Sequence, residues 1–467
     1  MAGILKSTHN VCRENYDFPV TVVQSPKQEV SRGWISRFGL MYLGQNIAWA
    51  APTNLLLSAQ ILVWFPEDKE RQLALLMTAG GLVSLLASPL AGIFSDRTRS
   101  SLGRRTPWII AGITIASVAL GVAGWTATLP GDSRSLGYGL LLAAWMVFQF
   151  AIALAVTPTQ SIVPDQVTER QFGTVSGVMG MTYTLGIVLG TALSVALPRP
   201  WAYAAVIAVL LATAVPFLTR DREPLPWLAG SADPEAGPNT SPAASPAHGA
   251  EPAAKQPEAG ATGTTPTGLA AARRVVPNPK DAPDFYWMFL TRLLLMLAQA
   301  IALFFLLYYL RDRIGFHDPE LGVLILTAVF AGCVVATALW SGWFSDKLGV
   351  RKPFILFSAT GVAAACAVLA FTSSFTMVVV GAVILGLSWG VYQAIDQALV
   401  NAVLPTEQER ATHMGLMNLA VLLPNTLAPS IAAIALSLLG GYTGLYLLAG
   451  AMCLAGGVLV LKIQATR

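Results

Sequence analysis

Long apolar runs recur along the chain, separated by short polar stretches that hold most of its charge. A helix needs about 20 apolar residues to cross the hydrocarbon core of a bilayer. On that measure the pattern predicts six membrane-spanning helices at 35–63, 72–94, 107–129, 137–160, 172–197 and 200–219. Six more are predicted at 285–310, 320–344, 353–373, 376–403, 411–438 and 441–462. Between the two sets, residues 229–272 contain one large apolar residue, Leu269, and no aromatic. Their Ala-, Pro-, Gly-, Ser- and Thr-rich composition cannot bury enough surface to offset ordering entropy, so a disordered linker is expected. The chain reads as an all-α membrane protein with a tail at 1–34, a six-helix bundle at 35–220 and a linker at 221–284. A second six-helix bundle follows at 285–463, then a tail at 464–467.

Composition agrees. Of 467 residues, 54% are hydrophobic and only 12% charged, against about 25% charged in soluble domains. Lys and Arg are unevenly placed: 22 of the 29 lie on the side of the N-terminus, six lie in the opposite loops, and Arg292 lies inside the seventh span. Cytoplasmic loops carry such an excess, so both termini and the linker are expected in the cytoplasm. The bias towards Ala, Gly and Arg points to a bacterial inner membrane. Residues 1–33 lack the apolar core of a cleavable signal peptide. Cys12, Cys333, Cys366 and Cys453 show no metal or disulfide spacing, and the three in apolar segments read as small packing residues. With four His and no cluster, neither a metal nor another cofactor is expected. Walker A, H-E-x-x-H and G-x-S-x-G sequences are absent, which argues against an ATP-driven pump and against an enzyme. The basic loops are too short and too near the bilayer to bind nucleic acid; membrane lipids are their expected neighbours.

Two loops repeat one another. Gly92-Ile-Phe-Ser-Asp96-Arg97 precedes Gly103-Arg104-Arg105-Thr-Pro107, and Gly342-Trp-Phe-Ser-Asp346-Lys347 precedes Val350-Arg351-Lys352-Pro353. A second echo joins Pro164–Arg170 to Pro405–Arg410. Two matches at corresponding places in two six-span halves argue for a duplicated unit. The loop signature resembles motif A of the major facilitator superfamily, over nearly the whole chain. Ser95–Ile109 aligns without gaps to the S-D-R…G-R-R-R-P-F-I loop of plant sucrose–proton symporters, and Gly44-Gln45-Asn46-Ile-Ala-Trp49-Ala50 is similar to their G-x-Q-F-G-W-A. Arg292, Tyr308-Tyr309-Leu-Arg-Asp312 and Asp396-Gln-Ala-Leu resemble bacterial relatives of those symporters and of the glycoside–pentoside–hexuronide group. The resemblance implies two pseudo-symmetric six-helix bundles that transport by alternating access. It implies that Gly92, Asp96, Arg97, Gly103, Arg104 and Arg105 form a cytoplasmic gate, with Asp346, Lys347, Arg351 and Lys352 as a weaker counterpart. The physics agrees: a carboxylate is stabilised by a helix N-terminus, and Arg offers a forked donor.

Polar groups inside the spans carry the remaining chemistry. A charge near the bilayer centre costs about 2.5–3.5 kcal/mol on insertion scales, so it should face a cavity and have a task. Asp396 is the one acid well inside a predicted span. Trp389, Gln393 and Asp396 share a helical face, an aromatic plane beside an amide and a carboxylate, which suits a sugar. Asp396 is also a candidate proton acceptor, or a structural partner of Arg292. Gln45, Trp49 and Thr53, with Asn46 and Asn54 beside them, line span one; Gln149, Thr157 and Gln160 line span four. Gln299 lies two turns past Arg292, and Asn418 and Asn425 lie seven apart in span eleven. Each suits interhelical hydrogen bonding, but together they suggest a polar central cavity. In plant sucrose symporters the fourth helix carries an acid and an Arg where this chain has Gln149 and Gln160. Any proton coupling would then have moved to Asp396. The expected function is secondary transport of a small polar solute, a sugar or glycoside, in symport with a proton or another cation, by a monomer. The alternatives are an efflux carrier for drugs or metabolites on the same fold, and a membrane sensor that transports nothing.

Overall fold

The computed structural model describes residues 29–130, 133–221, 282–348, 351–403 and 410–464. The expected linker and both tails lie almost wholly outside these residues. Among the described residues, twelve helices are long and apolar enough to cross a membrane. In the first half they are α1 (Arg32–Trp64), α2 (Lys69–Arg97), α3 (Thr106–Thr126), α4 (Arg134–Gln166), α5 (Glu169–Ala196) and α6 (Arg199–Arg220). In the second they are α7 (Pro283–Phe304), α8 (Pro319–Leu348), α9 (Lys352–Phe371), α10 (Phe375–Val403), α11 (Arg410–Leu438) and α12 (Tyr442–Leu459). The helices have clear local causes. Ser31 caps α1 by accepting from the Trp34 amide at 3.1 Å. Proline stands in the first turn of α3, α6, α7 and α9, where its missing N–H costs nothing. Gly440 and Gly441, with φ of 81° and 77°, turn the chain sharply from α11 into α12.

Proline inside a span did not act as a stop. Helix α4 runs through Pro158 and Pro164 to Gln166, six residues past the predicted end at 160. The bilayer leaves a backbone group no better partner than its own helix, so proline in a span is accommodated. At Pro52 the accommodation is visible: α1 widens into a π-turn over Pro52–Leu56, and the Leu57 amide donates to the Pro52 carbonyl. Helix α7 breaks at Phe305 and continues as Leu306–Tyr309 and a π-turn, Leu310–Ile314. The 250-residue offset of the repeated loops maps the first break onto the second.

Packing repeats with the sequence. In the first half α1 packs on α5 and α6, α4 on α2 and α3, and α3 on α6. In the second α7 packs on α11 and α12, α10 on α8 and α9, and α9 on α12. Each contact becomes its counterpart when six is added to both helix numbers. The halves meet where α2 packs on α11 and α5 on α8, which are each other's counterparts. Glycines one turn apart allow close backbone approach: Gly186 and Gly190 against α1, and Gly386 and Gly390 against α8.

Candidate functional site

At the end that carries both termini, the loop after α2 is tied to the end of α4. Arg105 is buried; its Nε donates to Asp165 Oδ2 at 2.6 Å and its Nη2 lies 3.3 Å from Asp96 Oδ1. Arg104 reaches the same Asp165 oxygen at 2.8 Å. Gly103 makes the loop possible with φ of 107°. Gly92 is half-buried, where a side-chain carbon would meet only Thr157 of α4, at 4.0 Å, and Arg97 is exposed. Asp165 lies in the Pro164–Arg170 echo, yet reading the sequence missed it as a partner because it is 60 residues from the arginines it binds. In the second copy of the loop, Lys347 is exposed and Arg351 and Lys352 are half-buried. The side chain of Asp346 lies outside the described residues.

Among the described residues, polar contacts that join the halves gather at the opposite end. Lys69, at the start of α2, pairs with Asp312 of the second half at 2.8 Å, and the Tyr442 hydroxyl donates to the same Asp312 oxygen at 3.1 Å. Lys69 also lies over the Tyr308 ring, 5.6 Å from its centre. The Tyr308 hydroxyl, wholly buried, donates to the Ser58 carbonyl of α1 at 3.0 Å. The 250-residue offset makes Ser58 and Tyr308 each other's counterparts. Nearer the middle, Thr78 and Ser430 share a hydrogen bond of 2.7 Å between α2 and α11. Arg199 and Glu320 are 3.8 Å apart.

Within the second half, α7 and α10 are joined by a buried charged cluster. Arg292 Nη2 lies 3.1 Å from Asp396 Oδ2, with side chains 7% and 6% exposed. The Tyr392 hydroxyl donates to the other carboxylate oxygen at 2.8 Å. Arg292 Nε and Nη1 are buried with no partner among the described residues. Trp389 is buried and packs on Tyr392 at 4.9 Å, whereas Gln393 is exposed. The three residues read as one face therefore straddle its edge. At 100° per residue, Gln393 stands about 60° from Asp396 around the helix, enough to take it off the packed side. Tyr392, one turn before Asp396, was missed because an aromatic at that spacing reads as ordinary core.

The first half uses neutral groups between its equivalent helices, α1 and α4. Gln45 is buried, and its amide donates to Thr159 Oγ1 at 3.0 Å. Gln160, exposed, donates to the Tyr42 hydroxyl at 3.1 Å. Gln149 is buried on the side of α4 that faces α2. Asn46 is half-buried, donates to the Tyr42 carbonyl of its own helix, and lies against Gly186. Trp49, Asn54 and Gln299 are half-buried; Asn418 and Asn425 are exposed on α11, where Asn425 donates to the Val421 carbonyl at 3.0 Å. No group of three or more His, Cys, Asp or Glu that could hold a metal occurs among the described residues.

The sequence pattern of the Major Facilitator Superfamily matches residues 38–325 and 288–466. The sucrose transport protein SUC4 of Arabidopsis thaliana is 25% identical over 181 residues, 37% of this chain and 35% of that protein. The general alpha-glucoside permease of Schizosaccharomyces pombe is 27% identical over 124 residues, 25% of this chain and 22% of that protein. The matches thus span about a third or less of these relatives' length. Solved structures share the fold at lower identity. A bacterial homologue of the human lysosomal transporter Spinster, inward-facing and unoccupied, is 17% identical, with TM-score 0.63 over 93% of this chain and 96% of its own. A variant of the nucleoside transporter NupG gives 12% and 0.66 over 92% and 99%. A D-xylose–proton symporter gives 11% and 0.65 over 92% and 97%.

Proposed function

This chain belongs to the Major Facilitator Superfamily and is a membrane transporter, and from that premise we propose that it carries a sugar or glycoside in symport with protons by alternating access. The observation that carries the reading is the contrast between its two halves. At the junction of α1 and α4 stand neutral amides and hydroxyls, Gln45, Thr159, Tyr42 and Gln160. At the corresponding junction of α7 and α10 stands an ion pair, Arg292 and Asp396, steadied by Tyr392. Amides suit hydroxyl groups of a neutral solute, while a buried carboxylate is the group that could take and release a proton. Likeness to a sucrose transport protein and an alpha-glucoside permease supports the solute class.

The two ends then take their parts in the cycle. The excess of Lys and Arg supports placing the termini in the cytoplasm. The Lys69–Asp312 and Tyr308–Ser58 contacts at the far end support reading the conformation described here as the one closed to the outside. Asp96, Arg104, Arg105 and Asp165 would then brace the cytoplasmic gate from the first half, and Lys347, Arg351 and Lys352 from the second. The test is uptake of radiolabelled sucrose and maltose into vesicles, with and without an imposed proton gradient. Wild-type protein should accumulate one of them only with the gradient, and Asp396→Asn should lose accumulation while retaining exchange. Accumulation by Asp396→Asn equal to wild type would remove that residue from coupling, and uptake of neither sugar would refute the solute class.

A further inference from the structure

On the wall between α2 and α4 lies a pair of groups that the ion-pair cluster does not involve. Trp145 and Gln149 are one turn apart on α4, 3% and 7% exposed. Trp145 Nε1 and Gln149 Oε1 are both buried with no hydrogen-bond partner among the described residues. Their neighbours on this face are tied down: the Tyr138 hydroxyl donates to the Gln72 carbonyl of α2 at 2.9 Å. Opposite the pair stands Gly80. A side-chain carbon there would fall 2.3 Å from Trp145 Nε1 and 3.0 Å from Gln149 Cγ, so α2 leaves that position bare for them. The next residue, Gly81, faces the other half, where a side-chain carbon would meet the Thr426 backbone at 2.9 Å. The pair thus lies one residue from the α2–α11 seam, level with the middle of these helices.

An orphaned donor and an orphaned acceptor side by side limit what would satisfy them. Indole N–H can only donate, and an amide oxygen can only accept. A carboxylate would satisfy the first alone, and an ammonium the second alone. A hydroxyl accepts from one and donates to the other. Native proteins rarely leave such groups unpaired, and those that remain call for a reason. The geometry points to a hydroxyl-binding subsite at Trp145 and Gln149, which takes one hydroxyl of the carried solute when α2 and α11 part. It rests on the reading that the solute is a sugar or glycoside, and it makes Trp145 a determinant of which sugar is accepted.

The experiment measures heat-induced unfolding of the purified full chain against sucrose and maltose, for wild type, Trp145→Phe and Gln149→Leu. Phenylalanine keeps an aromatic ring but removes the donor together with the second ring of the indole. The sugar that stabilises wild type should bind each variant about tenfold more weakly. The double variant should lose little more than either single one, because both groups hold the same hydroxyl. Among monodeoxy forms of that sugar, one should bind wild type as weakly as the parent sugar binds the variants. Equal binding by wild type and both variants overturns the subsite and leaves the proposed function standing. If neither sugar stabilises wild type, the proposed solute class fails and the subsite fails with it.

Discussion

Removing Asp396 and removing Arg292 should have unequal costs, and removing both should cost less than either. The two side chains are 6% and 7% exposed and touch at 3.1 Å. Arg292 already has Nε and Nη1 unpartnered, so Asp396 is its chief compensation. Taking one partner from a buried pair typically costs about 3–5 kcal/mol, because the other charge is left buried and uncompensated. Asp396→Leu should fall at the upper end of that range, since arginine cannot shed its proton. Arg292→Leu should fall at the lower end, since a carboxyl group can take a proton and become neutral. The double leucine variant should recover most of the loss, because replacing a whole buried pair by apolar residues is often neutral. The assay is denaturation of the four proteins in one detergent, with uptake measured in parallel. The double variant should insert and fold yet no longer accumulate solute. A double variant as unstable as Asp396→Leu would refute the electrostatic reasoning and assign the cluster to packing.

Lys69→Ala should favour opening at the end away from the termini, by about 1 kcal/mol or less because the pair is partly exposed. Spin-label distances between α2 and α11 at that end should lengthen; unchanged distances would show that the apolar seam alone holds it. Asp165→Asn weakens the hold on both Arg104 and Arg105, whereas Asp96→Asn removes only the 3.3 Å contact. Asp165→Asn should therefore reduce transport more than Asp96→Asn, with membrane insertion intact in both; the reverse order would move the weight of the loop to Asp96.

The architecture was legible because lipid makes hydropathy a strong signal. Twelve apolar runs, a basic excess on one side and a loop repeated at 250 residues led to twelve helices in two matching sets. Helix ends were less legible where proline stood. The fourth span reads as ending at 160, before Pro164, but α4 passes through Pro164 to Gln166. The polar residues were found by type, but their company was not. Asp396 stood out as a lone acid, yet Tyr392 beside it looks like core. Asp165 and Lys69 bind groups 60 and more residues away, and no local pattern marks such pairs. Trp145 carries no sign of an unmet donor until the glycine opposite it is known.

Beyond the π-turn at Pro52, the last eight residues of α1, Leu57–Trp64, form a rim at the end away from the termini. Neighbouring helices hold this rim in place. Two anchors come from its own half: Gln60, whose amide reaches Thr126 Oγ1 at 3.0 Å, and Trp64, which lies over Gly137. The third, the Tyr308 hydroxyl on the Ser58 carbonyl, comes from the other half. In the proposed cycle, opening of this end would withdraw that third anchor and leave the rim on two. Its amide protons should then exchange with solvent soonest in the first helix, so their exchange rate would be a clock for the opening that the proposed cycle requires.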